Sequence, residues 1–367
     1  MKIAFVGVKG AVSLKRIGGS ESMIRRCSKE MIKQNNKCYA ISYLEDKNET
    51  QEVSPNIYRV FLKTFEDLVV YLNQEKIDHA LTLFIAWKDR LKLNRVINTN
   101  TYSTFSAIVL NFKPNPLKRF IYNKETVLNY KKGVIFCNSP RLLKELQKIS
   151  PKNTELLLAP VDNDFYVSET KDLEQGKRLK IAYMGRLDYG KGADIAISYM
   201  ENNQQNNMEC FVYAYPHKND PFSMDLHRKL KGQSQINYVE TKVNEYSEEV
   251  DQFLKDTIAS IDVFILPYRF LHSTIDSPLV PMEVISGNKP FITTQCDGIN
   301  YLIPDKELLL PTYNKKETIL LIDKKIKYLR ENYKQVQQNI LKFKEDMDFS
   351  ATAISNQILK TLEGLEK

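Results

Sequence analysis

Residues 274–294 read TIDSPLVPMEVISGNKPFITT, and this stretch decides the fold class. Asp276 and Glu283 bracket a proline-containing turn, SPLVP. A helix-compatible run, MEVISGN, follows, then Lys289-Pro290 and the β-rich run FITT. Loop, helix and strand in that order are the pieces of one α/β repeat. In open α/β sheets, ligands collect beyond the carboxyl ends of the strands, where loops meet helix N-termini. Unpaired backbone N–H groups at a helix start attract anions, phosphates above all. Carboxylates in the same place suit the hydroxyls of a sugar or ribose as hydrogen-bond acceptors. The stretch therefore predicts a ligand that is part phosphate and part polyol.

The rest of the chain repeats the α/β pattern. Strand-like runs fall at 2–8 (KIAFVGV), 38–44, 57–62, 80–87, 105–112, 133–139 and 155–160, with helix-compatible segments between most of them. That alternation argues for a parallel sheet with helices on both faces. Residues 161–180 then turn polar and charge-rich, which places a domain boundary near 168 and gives domains 1–167 and 168–367. A second series has strands at 179–184, 210–216, 236–240, 262–268 and 291–294. About fifty residues of helical pattern close the chain, with Ile354, Ile358, Leu362 and Leu365 forming one apolar face.

Composition narrows the class. With 43% hydrophobic and 27% charged residues among 367, the chain has the make-up of a soluble globular protein. No apolar run reaches the roughly 18–20 residues needed to span a bilayer. The opening MKIAFVGVKG reads as a first strand and not as a signal peptide. Five scattered cysteines without a CxxC pair suggest neither a disulfide framework nor a zinc knuckle, so a reducing, cytoplasmic setting is expected. The net charge of +8 is uneven, at about +10 over residues 1–170 and about −2 over the remainder. Either this is an ordinary lysine-rich surface, or the first half meets an anionic membrane face or a phosphate-bearing acceptor. The basic loop at 113–119 (KPNPLKR) carries the same two readings. Nucleic acid is not indicated, because there is no zinc-finger spacing, RNA-binding aromatic motif or Arg-rich tract.

Two glycine loops follow strands. Residues 9–19 contain Gly10, Gly18 and Gly19, and Ser20-Glu21 then opens a helix for which Ser20 is a sensible N-cap. The loop fails the GxGxxG fingerprint, so a dinucleotide site is not expected. Residues 185–192 read GRLDYGKG. Arg186, just past a strand end, can fork onto two phosphate oxygens, and Lys191 can add a point charge to the same diphosphate. Gly185 and its companions let the backbone approach closely. Read alone, either loop is also compatible with turn glycines and solvated cations.

Together with the acidic stretch, these residues carry a resemblance. GRLDYGKG (185–192) and DSPLVPMEVISGNKP (276–290) resemble the retaining nucleotide-sugar glycosyltransferases of family 4. Looser matches are IGGSE (17–21), GVIFCNSPRLLKEL (133–146) and LLAPVDNDFY (157–166). The resemblance implies an α/β, GT-B fold of two Rossmann-like parallel-sheet domains facing a central donor/acceptor cleft. The last helix, about 350–367, would then cross back to the N-terminal domain.

It further implies a retaining transferase that moves a sugar from a nucleoside-diphosphate sugar to a glycan or lipid-linked acceptor, as in cell-surface polysaccharide synthesis. Arg186, Lys191 and Asp276 would be catalytic. Gly18, Gly19, Gly185, Asn111, Ser277, Leu279, Val280 and Glu283 would bind the donor, with Glu283 accepting the ribose hydroxyls. The amides of Ser277, Leu279 and Val280 would face phosphate; Pro278 has none to offer. No metal and no cofactor beyond the nucleotide sugar is implied, because the cations take the metal's electrostatic role. The site would be cytoplasmic, with peripheral contact to the inner membrane face through the basic half.

The chain departs from the family twice. The first acid of the pair usually lies eight positions before the second, which here is Ile275, so Asp276 is one place closer and a methylene shorter than the usual Glu. The family's common His near the donor sugar is replaced by Asn111, which can hydrogen-bond but not titrate at neutral pH. These departures keep open a catalytically inactive sugar-nucleotide-binding partner protein. A GT-B sugar-nucleotide epimerase is a third option.

Overall fold

The two α/β series fold as two units, Met1–Asp162 with Phe349–Lys367, and Asn163–Asp348. The computed structural model describes residues 1–10, 12, 18–85, 89, 92–93, 95–96, 102–110, 133–148, 153–173, 176–203, 207–241, 248–269, 278–296, 299–311 and 314–365.

In the first unit, β1 (Lys2–Val8) is the apolar run expected of a strand covered on both faces, with Ile3 through Val6 buried. It pairs in parallel with β2 (Lys37–Tyr43) and, on its other side, with β5 (His79–Phe84). The remaining described strands are β3 (Glu49–Ser54), β4 (Ile57–Leu62), β6 (Thr104–Val109), β7 (Ile135–Cys137) and β8 (Thr154–Leu156). The sheet runs β3-β4-β2-β1-β5-β6-β7-β8, so the winding reverses between β1 and β5. Every described pairing is parallel except β3 with β4, which turns through Asn56 at φ 64°. Sequence reading lacks β3. Its residues, ETQEVS, are polar apart from Val53 and none is buried at the sheet edge, so no apolar run marks them.

Helix α1 (Gly19–Ile32) follows β1. Its N-cap is Gly18, not Ser20 as expected, and no side chain caps it. Ser20 lies inside the first turn, where its hydroxyl donates to Glu21 Oε2 at 3.0 Å. α2 (Phe65–Gln74) has a full capping box between Thr64 and Asp67. α3 (Pro140–Gln147) starts from Ser139, whose hydroxyl accepts the Leu142 amide at 3.0 Å.

The second unit contains β9 (Leu179–Arg186), α4 (Ala193–Asn202), β10 (Met208–Tyr215), α5 (Pro221–Lys231), β11 (Asn237–Glu240) and α6 (Glu248–Ser260). β12 (Val263–Leu266), α7 (Leu279–Ser286), β13 (Phe291–Thr294), β14 (Leu309–Leu310) and α8 (Lys315–Asp346) complete it. Its sheet is parallel in every described pair and ordered β11-β10-β9-β12-β13-β14. The chain winds outward from β9 to β11, then returns to the far side of β9 as β12. The reversal between β9 and β12 leaves a crevice at their carboxyl ends, the place where open α/β sheets bind ligands.

Tyr213 is buried: its ring lies 6.0 Å from Phe211 and 6.1 Å from Phe253. It packs the sheet against α6. The helical tail is broken after Asp346, and a second helix, α9 (Ala351–Leu365), forms. α9 docks on α1 in the first unit. Ile354, Ile358 and Leu362 are buried there, and the Ala351 amide bonds the Val161 carbonyl at 2.7 Å. Among the described residues, no helix is long and apolar enough to cross a membrane.

Candidate functional site

β9 carries GRLDYGKG to the β9/β12 reversal: Gly185 and Arg186 end the strand, and residues 187–192 form the loop into α4. The loop is held by its own backbone. Asp188 Oδ1 accepts the amides of Gly190 at 2.8 Å and Lys191 at 3.2 Å, the local bonding that makes Asp a turn residue. This carboxylate is spent on the turn. Gly192 caps α4 at φ 69°, and a Cβ there would lie 1.9 Å from the Pro267 carbonyl oxygen. A side chain is excluded both by conformation and by the backbone behind it. Gly192→Ala is therefore expected to lose more than about 2 kcal/mol of stability. Chemical denaturation checks this, and a loss below about 0.5 kcal/mol would contradict it.

Lys191 is half-buried, with Nζ 6.0 Å from the centroid of the Tyr268 ring. Burial, followed by the positive charge of Arg186, pushes its pKa down to about 8, against a smaller opposing effect of Asp188. Two cations thus share one neighbourhood at the strand end. Each raises the cost of the other's charge, and an anion between them would relieve it.

α7 follows β12 in the chain and precedes β13. An α-helix leaves its first four amides without intrahelical acceptors. Here Pro278 and Pro281 have no amide hydrogen, so the first turn offers the N–H groups of Leu279 and Val280. Glu283, on the second turn, is 4% exposed. Its charge is felt at the buried Tyr268 hydroxyl, whose pKa is raised by burial first and then by Cys296 and Glu283.

Sequence reading missed the residue that ties the loop after β9 to the segment after β12, Arg269. Its guanidinium forks onto Asp194, NH1 to Oδ1 at 2.6 Å and NH2 to Oδ2 at 2.9 Å. NH1 also donates to the Tyr189 carbonyl at 2.7 Å, and the Arg269 amide donates to the Gly190 carbonyl at 2.8 Å. The guanidinium lies 4.0 Å from the Tyr189 ring centroid. Burial disfavours the Asp194 carboxylate, but the hydrogen bonds and charge of Arg269, with Lys315, hold its pKa below the usual range. Asp194 could be noticed as an acid in the first turn of a helix. Its pairing with a residue 75 positions away leaves no local signal.

Gly18 and Gly19 lie in the first unit, at the start of α1. A Cβ on Gly18 would meet Glu21 Oε2 at 2.2 Å, so the Glu21 carboxylate folds back onto the glycine turn. Negative charge already occupies that helix start, which suits a hydroxyl-bearing ligand better than a phosphate. Asn111, Asp276 and Ser277 lie outside the described residues, as does the basic loop at 113–119. Among the described residues, no group of three His, Cys, Asp or Glu side chains is arranged to hold a metal ion.

The architecture is the GT-B fold, two parallel-sheet α/β domains in one chain. It is shared over the full length with a glycosyltransferase from Rickettsia africae ESF-5, at a TM-score of 0.71 and 14% identity, covering 100% of this chain and 98% of that one. HepE of Anabaena, solved in complex with UDP, matches at a TM-score of 0.68 and 12% identity over 99% of this chain and 100% of its own. The E. coli trehalose-6-phosphate protein bound with UDP-2-fluoro glucose matches at 0.67 and 12% over 99% of each chain. No family model matches the sequence. No curated protein matches it either. At these identities the likeness is one of fold.

Proposed function

We propose that the protein is a retaining glycosyltransferase that moves a sugar from a nucleoside-diphosphate sugar to a glycan or lipid-linked acceptor. The observation that carries this reading is the half-buried Lys191 beside the charge of Arg186 at the β9/β12 reversal. HepE has been solved with UDP and with UDP and glucose, which lends the reading support from a protein of the same fold.

In this reading the bond between the anomeric carbon and the phosphate oxygen breaks, and its electron pair leaves with the diphosphate. Arg186 and Lys191 stabilise the negative charge that grows there, and the Leu279 and Val280 amides add to it. Glu283 accepts hydrogen bonds from the nucleotide ribose. Asp276 would meet the sugar hydroxyls, Ser277 the phosphate, and Asn111 the far side of the donor. Gly18 and Gly19 would face hydroxyls of the sugar. The acceptor oxygen arrives on the face the diphosphate leaves, and a leaving-group oxygen takes its proton, so no protein nucleophile is required. The acceptor would belong to cell-surface polysaccharide or glycoconjugate synthesis, reached from the cytoplasmic side with the basic first half against an anionic membrane.

The direct test is release of UDP or GDP from a panel of nucleotide sugars, with and without glycan acceptors. Tight donor binding without turnover across that panel would favour the second reading, a donor-binding partner protein, which the offset of Asp276 from the family spacing motivates. Because protein cations carry the electrostatic role, activity is expected to survive extended treatment with EDTA. Loss of turnover with EDTA, restored by a divalent cation, would overturn metal independence.

A further inference from the structure

We propose that Arg269 is a positioning residue that sets the height and orientation of the Arg186–Lys191 loop over the donor diphosphate. The inference deepens the function proposed above and rests on it. Three independent contacts converge on this side chain and its own amide. The guanidinium fork joins Asp194, in the first turn of α4, so it holds the segment just beyond Lys191. The bond from NH1 to the Tyr189 carbonyl holds the segment just before it. The Arg269 amide bonds the carbonyl between them, Gly190. Lys191 is thus fastened on either side from a single residue that is itself 7% exposed.

The anchor is rigid for a reason. Arg269 follows Pro267-Tyr268 directly, and β13 holds that segment: the Thr294 hydroxyl donates to the Tyr268 carbonyl and the Thr293 hydroxyl to the Leu266 carbonyl. Gly192 sits against the Pro267 carbonyl on the same segment. The residues after β12 thereby grip the residues after β9 across the reversal, and Arg269 supplies the polar half of the grip. A planar fork can hold Asp194 and Tyr189 together; a lysine at the same place offers one point donor. The salt bridge is also a poor candidate for a purely stabilising device, because burying two charges costs about as much as their attraction returns.

The test uses the full chain carrying Arg269→Lys, with Asp194→Asn as a second variant that retains side-chain shape should the first fail to fold. UDP and GDP binding are measured by calorimetry, donor kinetics beside them, and melting temperature reports folding. With the loop displaced, UDP or GDP affinity in the folded variants is expected to fall roughly 10- to 100-fold, and kcat to fall more than donor KM rises. Exchange of the Gly190 and Lys191 amides should quicken in the same variants. A purely structural role would lower the melting temperature and leave affinity and kcat of the folded protein unchanged. Affinity within about twofold of the natural chain in either folded variant overturns the inference alone. Failure of the natural chain to bind UDP or GDP overturns the nucleotide-sugar reading and this inference with it.

Discussion

Replacing Arg186 by alanine is expected to lower kcat/KM by about 10²- to 10³-fold, or about 3–4 kcal/mol of transition-state stabilisation. Its proposed partner is the leaving diphosphate, whose charge is greatest as the glycosidic bond breaks. An interaction that strengthens on the way to the transition state acts on kcat more than on KM. The fold should survive the change. The backbone of Arg186 pairs with Tyr215, and its carbonyl accepts the Tyr183 hydroxyl, and both bonds remain in the alanine variant. The side chain is half-buried at a strand end, where stability losses stay near 1 kcal/mol or below. A folded Arg186→Ala protein with natural kcat/KM would remove Arg186 from the site.

Lys191 provides the second large effect, and it depends on pH. Donor affinity and kcat/KM are expected to fall as pH rises through about 8, where this lysine loses its charge. The decline should approach roughly tenfold per pH unit well above that point if the ammonium is required. Bound diphosphate favours the charged form, so the corresponding limb in kcat should lie at higher pH than in kcat/KM.

Folding stability should move the opposite way. A lysine whose folded pKa of about 8 lies below the ordinary value of about 10.4 leaves the unfolded chain holding more protons between those limits. Stability of the unliganded protein therefore rises with pH across that window. Lys289 and Lys344, also pushed down to about 8 by burial, contribute in the same sense. The stability trend is shared by three lysines, whereas the donor-binding limb belongs to one. Lys191→Met should abolish the alkaline limb and weaken donor binding at pH 7. Donor binding that stays flat from pH 7 to about 9.5, or a limb that persists in Lys191→Met, would sink the assignment.

Much of the frame is legible because parallel strands are covered on both faces and read as apolar runs. KIAFVGV, IYRVFL and FITT form strands over the residues their sequences mark. β3 is silent for the converse reason, since an edge strand facing water needs no apolar face. Ser20 suits an N-cap by residue type, but backbone conformation decides capping: Gly18 is extended there and Ser20 is already helical. The burial of Tyr213 has no local signal either, since it depends on the position of α6 across the sheet.

Residues 274–294 and GRLDYGKG separately announced a helix start and a cationic glycine loop, since each signal is local: a residue type at a fixed distance from a strand end. That much the sequence by itself determined, together with the α/β class. The tertiary structure decided that the loop after β9, with Arg186 and Lys191, lies beside the segment after β12, because strand order, which no local pattern encodes, puts β12 beside β9. It also decided the contacts of Gly192 and Arg269. Their partners, Pro267 and Asp194, lie 75 residues away in each case, and only the folded chain brings backbone against backbone and guanidinium against carboxylate.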